Sequence, residues 1–304
     1  MSTATRPQFG RAIELLCHET SEAPYPLHHL RGKAEQRVDL VVSRFRPFAL
    51  LVKTIYVSRL RDSINLAVLL GLPVLLFWVC VAASKLLPQS SVTHSDTFVA
   101  TTALSISVCV AGVAFGMRSS AQAKTDGSER MLGSMPFSKT LEWAIDGVLG
   151  ILFSLTGSVV LAIVATAPIY DLGIDGNVPA LVLPVTIGYL FSYSIGRLGA
   201  SSLAGNGPII RVICIAILTL FASLAVLQVL DAANLSASNS FHFASTFSPV
   251  SYLFGSIEDS LRPDTPWVDL GISAAYLLIF TVAVMTATRA LWSLQRESDS
   301  RRKS

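Results

Sequence analysis

Six windows of this sequence, residues 64–84, 98–117, 147–169, 178–196, 212–230 and 270–288, contain no Asp, Glu, Lys, Arg or His. About 18 or more apolar residues suffice to cross a hydrocarbon core of roughly 30 Å as a helix. All six windows qualify, and the chain as a whole is only 14% charged, where a soluble domain carries about 25%. The fold class expected is therefore an all-α polytopic membrane protein with six transmembrane helices.

Orientation follows from where lysine and arginine fall in the loops. Residues 1–63 carry ten of them, the connection between the second and third windows four, the ends of the fourth and fifth windows two and the C-terminus five. One side thus holds 21 and the other 2, which places both termini in the cytoplasm. Trp143 and Trp292 then fall at the inner interface and Trp267 at the outer one, as aromatic belts do. The first sixty residues show no apolar core with a small-residue cleavage site, so a cytosolic leader is expected rather than an export signal.

Two segments outside the spans have helical character. In residues 44–63, Phe48, Leu51, Val52 and Ile55 recur at helical spacing among Arg44, Arg46, Lys53, Arg59 and Arg61. Such a segment lies in the inner interface, drawn to anionic lipids; residues 1–43 before it are mixed in composition and expected to be weakly ordered. After the fifth window, residues 231–269 form a long outer loop. Ser248-Pro249 is a helix start, with serine as cap and proline at the first helical position, and Arg262-Pro263 a stop. A helix of about twelve residues covers only about 18 Å, so it dips into the outer leaflet or lies on the surface.

The long cytoplasmic connection between the second and third windows raises a different question. Asp126-x-x-Glu129 forms a capping box, Gly133 a helix stop and Ser138 a cap for the next span. A short helix between two spans is the expectation there, either an ordinary solvated loop or a docking element for a cytosolic partner.

Several function classes are excluded by what the windows lack. Ionisable groups at membrane depth mark proton relays and ion pathways, and none is present. A zinc or serine–histidine intramembrane protease would need a histidine at depth, yet His18, His28, His29, His94 and His242 all lie outside the windows. Gly199-Ala200-Ser201-Ser202 superficially resembles a serine protease loop, but it has no partner base and reads as small-residue packing. The cysteines, Cys17, Cys80, Cys109 and Cys214, are too scattered for a zinc site or a disulfide framework. No G-x-x-x-x-G-K-[ST] motif occurs, so ATP-driven work would require a separate nucleotide-binding polypeptide. The polar groups that remain in the windows are uncharged and mostly hydroxyls, among them Thr101, Thr102, Ser105, Ser154 and Ser158. Such groups serve helix packing or line a path for an amphipathic compound. Pro73 and Pro184 interrupt their helices, and the freed carbonyls need donors from neighbours.

Taken in order, the basic segment leading through "RLRDSINLAVLLGLPVLLFWV", the loop "ERMLGSMPFSKTLEWAIDGVLG" and the outer "FSPVSYLFGSIEDSLR" resemble the membrane subunit of an ABC-2 type exporter, of the daunorubicin-resistance type. The resemblance covers nearly the whole chain after residue 44. It implies a coupling helix over 126–137, with Asp126, Glu129, Arg130, Met131, Leu132, Pro136 and Phe137 against a cytosolic ATPase dimer. It also implies a substrate path along Thr101, Ser105 and Val108 of the second span and Leu218, Phe221 and Leu224 of the fifth, and an outer gate at Pro249, Tyr252 and Phe254. The chain would then be a transporter subunit of the bacterial plasma membrane (residues 64–293, with a short tail over 294–304) and no enzyme itself. It would bind no metal or cofactor, ATP and magnesium sitting on the partner, and no nucleic acid. It would pair with an identical or sister permease and contact membrane lipids. The alternative is a membrane scaffold with no transport cycle.

Overall fold

The computed structural model describes residues 48–86, 96–125, 139–174, 178–204 and 248–303, and among them every regular element is a helix. The chain divides into two compact units, Met1–Val57 and Ser58–Ser304. In the first, the described residues 48–57 are wholly helical. Leu51, Val52 and Ile55 are buried there while Leu50, Lys53 and Val57 are exposed, the one-sided pattern expected of that segment. This helix, α1, runs over 48–60.

In the second unit a turn at Arg61 and Asp62 leads into α2, which is α-helical over Ser63–Leu66 and Leu72–Leu86 with a π turn over Ala67–Gly71. Asp62 caps it, its side chain accepting from the amide of Ile64 at 3.0 Å. The remaining long helices are α3 (Asp96–Thr125), α4 (Lys139–Asp171), α5 (Val178–Ala204) and α7 (Trp267–Lys303). Five stretches, Ser63–Ala83, Asp96–Gln122, Ala144–Asp171, Pro179–Ala200 and Trp267–Ala290, are long and apolar enough to cross a membrane. They match five of the six predicted windows; the other, 212–230, lies outside the described residues. The stretches overrun the charge-free windows, so that Arg118, Asp146 and Arg197 fall within them. Charge is absent from the middle of all five stretches and present near the ends of every one but Ser63–Ala83.

The π turn shows how α2 accommodates Pro73. Proline has no N–H for the carbonyl four residues back and its ring crowds that carbonyl; here that carbonyl belongs to Leu69. The ladder widens just before the proline, with the amide of Leu72 reaching Ala67. The fully buried Tyr189 of α5 donates its hydroxyl to the Leu69 carbonyl at 3.2 Å. A neighbouring helix thus supplies the donor that α2 lacks, as a bilayer interior demands. At the far end of α4, Gly173 adopts φ +72° and the amide of Ile174 returns to the Ile169 carbonyl at 3.2 Å, the left-handed stop that glycine permits.

The bundle is organised around α3 and α5, its most intimate pair. A Cβ on Gly112 would sit 2.6 Å from Ser192 Cβ; one on Gly116 would collide with the backbone carbonyl of Tyr193, and one on Gly196 with that of Val113. Glycines spaced i, i+4 on α3 therefore let two backbones touch, the small-residue packing characteristic of membrane helices. Around this seam lie Phe115 and Phe153 edge to face at 5.0 Å, with Tyr193 at 5.9 Å from Phe115. On the α7 side Phe191, Ile195, Leu198 and Val284 close the core. By contrast Leu75 and Val79 of α2, Ile151 and Ile163 of α4 and Ile272 and Ile279 of α7 are exposed. That is the surface a helical bundle presents to lipid.

The glycine seam yields a direct test. Gly116→Ala should lower the unfolding temperature in detergent by the equivalent of about 2 kcal/mol or more, since a backbone carbonyl cannot turn aside as a side chain can. Gly147→Ala, where nothing lies within 4 Å of the added carbon, should be neutral or stabilise by up to about 1 kcal/mol. Equal effects at the two sites would contradict the seam.

Candidate functional site

The predicted coupling residues, Asp126, Glu129, Arg130, Met131, Leu132, Pro136 and Phe137, lie outside the described residues, as do Leu218, Phe221 and Leu224. The rest of the predicted path is described. Thr101, Ser105 and Val108 are all buried in α3. Most hydroxyls in these helices spend their hydrogen bond on the preceding turn: Ser107 on Ala103, Thr156 on Leu152, Thr166 on Ala162, Ser194 on Leu190 and Thr281 on Leu277, all between 2.6 and 2.8 Å. The hydroxyls of Thr101, Thr102, Ser105 and Ser120 on α3 and of Ser154 on α4 have no partner among the described residues. Five buried oxygens with unspent hydrogen-bonding capacity are an exception to the usual satisfaction of buried polar groups.

The predicted outer gate forms α6, Pro249–Ser260, with the expected start: Ser248 accepts from the amide of Val250 at 3.2 Å and Pro249 occupies the first turn. Its twelve residues are too few to cross a bilayer. α6 packs on α3, α5 and α7, so predicted gate and predicted path belong to neighbouring elements. Leu253 drops into the notch left by Gly188 of α5, Phe254 and Ile257 are buried beside it, and Tyr252 stacks on Tyr276 of α7 at 4.0 Å, with Phe280 beyond at 4.9 Å. Ser256 and Ser260, on the buried face, turn their hydroxyls back onto Leu253 and Ile257 at 2.9 and 2.7 Å. At its end Arg262 pairs with Glu258 at 3.2 Å and Asp259 at 3.6 Å. Desolvation pushes the Asp259 carboxyl above its ordinary value, against the opposing pull of Arg262.

The opposite end of the bundle, where α2 and α4 begin and α3 and α5 finish, carries a polar network. Asn65, on the first turn of α2, is buried and fully engaged. Its amide donates to the Arg59 carbonyl at 2.9 Å and to Gln122 Oε1 at 2.6 Å, while its oxygen accepts from Arg118 Nε at 2.8 Å. Arg118 continues to Asp62 at 3.1 Å, and Gln122 reaches the same carboxylate at 3.4 Å. Arg118 and Gln122 share a face of α3 at i, i+4 spacing. Arg59 donates through Nη1 to Ser119, whose hydroxyl lies 3.4 Å from that of Tyr193. One turn further along α5, Arg197 pairs with Asp146 of α4 at 2.9 Å, its guanidinium 6.0 Å from the Tyr193 ring centre. Two ion pairs and a shared amide therefore tie α2 to α3 and α4 to α5, with Ser119 and Tyr193 between them.

This network was not among the predicted site residues. Its members sit at the window edges, where hydropathy reads only a boundary, and they meet across 51 to 60 residues of sequence. The local signal that could have pointed to it is Asp62-Ser63-Ile64-Asn65, an amide one turn inside an otherwise apolar span. Among the described residues no three His, Cys, Asp or Glu side chains converge as a metal site. No protein-family model, curated protein or solved structure matches the chain.

Asp146→Ala should destabilise the protein by about 2 kcal/mol, a figure reduced from the buried-pair range because both side chains keep some solvent contact. Replacing Arg197 by Met in the same chain should recover most of that loss, since the cost lies in the unpaired charge. Thermal unfolding of the single and double variants measures both terms. Additive losses would show that the two residues do not act as a pair.

Proposed function

We propose that this chain is the membrane-spanning permease subunit of an ATP-driven exporter of the bacterial plasma membrane, moving a hydrophobic or amphipathic compound. Nucleotide is hydrolysed by a separate cytosolic subunit. In this reading the bundle has six spans with both termini inside, the sixth contributed by residues 212–230, and α6 dips in from the outer side.

The observation that carries the reading is how polar groups are distributed along the bundle. Charges are confined to the ends, and the middle of the described spans holds only hydroxyls. Of these, the Thr101, Thr102, Ser105 and Ser154 hydroxyls are buried with no partner among the described residues. A protonmotive carrier needs titratable groups at depth; a path for an apolar compound with a few polar atoms needs weak hydrogen-bonding groups that become available when helices part. The ion-paired end supports the same mechanism. α3 and α4, which flank the proposed coupling segment over 126–137, are the helices that Arg118, Gln122 and Asp146 tie to α2 and α5. A push delivered to that segment therefore moves four helices together. This is rigid-body rocking, and α6, docked by apolar and aromatic contacts rather than ion pairs, is the element that can yield.

Mild-detergent purification of the tagged chain from native membranes, followed by mass spectrometry, tests the proposal. An ATPase should accompany the wild-type chain and be lost on the Glu129→Lys/Arg130→Glu exchange, with membrane insertion unchanged. A second permease in the sample would distinguish a sister partner from a homodimer. If no ATPase is recovered even after crosslinking, the exporter reading fails and a non-transporting scaffold replaces it.

A further inference from the structure

The network at the ion-paired end contains three arginines, Arg59, Arg118 and Arg197, and two carboxylates. Asp62 is held by Arg118 and Gln122, and Asp146 by Arg197. Arg59 is left without a carboxylate among the described residues. It is 7% exposed, its Nη1 donates to the neutral hydroxyl of Ser119, and its Nε is buried with no partner among the described residues. An arginine cannot shed its proton at any accessible pH, and a buried charge without a counter-charge costs several kcal/mol. No carboxylate among the described residues supplies that counter-charge, which leaves the guanidinium open to an anionic ligand.

We propose that Arg59 anchors a specific phosphate site, filled in the membrane by the headgroup of one anionic lipid. Depth favours this ligand. Arg59 stands four residues before the apolar stretch that begins at Ser63, and its partner Ser119 lies in the last turn of the stretch that ends at Gln122. Both positions are at the level where an apolar core meets headgroups. Chemistry favours it as well, because a guanidinium held at Nη1 keeps its remaining donors for a tetrahedral or carboxylate anion, and phosphate is the anion that a bilayer supplies at that depth. The site differs from general attraction of basic flanks to an anionic surface: one residue carries it, with defined stoichiometry. A bound phosphate would complete the network that joins α2, α3 and α5. The inference is independent of the transport reading and holds equally for a scaffold.

The test uses the full-length chain in detergent, titrated separately with phosphatidylglycerol, with diacylglycerol of the same acyl chains and with inorganic phosphate. Native mass spectrometry and thermal unfolding are the readouts. Phosphatidylglycerol should be retained at one per chain and raise the unfolding temperature saturably, while diacylglycerol, which lacks the phosphate, should not. Arg59→Gln should weaken that binding by about tenfold or more, the scale of one charged hydrogen bond. Arg59→Lys should fall between, keeping the charge but losing the fork, and Arg289→Gln, an exposed charge on α7, should leave binding unchanged. If inorganic phosphate reproduces the saturable, Arg59-dependent shift, the ligand is a free anion and the lipid assignment is overturned. Equal behaviour of phosphatidylglycerol and diacylglycerol on the wild-type chain overturns the site itself, without recourse to any variant.

Discussion

The backbones of α3 and α5 touch where Gly116 and Gly196 lie against the partner helix's carbonyls and Gly112 against Ser192, and the rest of the bundle packs around that contact. Between membrane helices there is no water to expel, so association rests on close packing and hydrogen bonds. The glycine seam supplies the packing. It also aims the large residues that alternate with the glycines. Phe115 and Tyr193 turn toward α4, Tyr189 toward α2, and Phe191 and Ile195 toward α7. α2 is held in part by a single hydroxyl on the carbonyl that Pro73 leaves free, so the proline that weakens one helix becomes its point of attachment to another.

Polar chemistry is layered along the bundle axis. One end is held by charge-assisted hydrogen bonds, which are strong and geometrically exacting. The middle has only hydroxyls, most turned back on their own helices and a few unengaged. At the other end lies α6, whose buried face is Val250, Leu253, Phe254 and Ile257 with the self-bonded Ser256 and Ser260. Apolar contacts are non-directional and can re-form after sliding, whereas ion pairs of fixed geometry cannot. In the proposed exporter this makes the end where α3 and α4 flank the coupling segment the stiffer one and the α6 end the one that can yield.

Much of this arrangement was legible in the amino-acid sequence, for physical reasons that also explain what was not. Hydropathy placed the described spans to within a few residues, because exclusion of charge from hydrocarbon is the strongest constraint acting on such a chain. The bounds of α6 were legible too, since Ser248 and Pro249 start a helix by local chemistry alone. The polar network was not. Asn65, Arg118, Gln122, Asp146 and Arg197 each look like boundary residues in isolation, and only the packing of four helices makes them a unit. The seam lay between these cases: Gly112 and Gly116 have a recognisable spacing, but their partner on α5 is set by tertiary contact. That the Thr101 and Ser105 hydroxyls are buried with no partner among the described residues is likewise a tertiary property that no sequence pattern supplies.

In the proposed exporter the ion-paired end and the α6 end face opposite sides of the membrane, as alternating access requires. Scanning-cysteine accessibility in intact cells tests it most directly, in a chain with its four native cysteines replaced. A cysteine at Asp264, in the exposed turn between α6 and α7, should react with a membrane-impermeant maleimide from outside. One at Arg61, in the turn before α2, should react only after the cells are permeabilised. Labelling of both positions from the same side would contradict the claim, because the two ends could not then belong to opposite faces of one exporter.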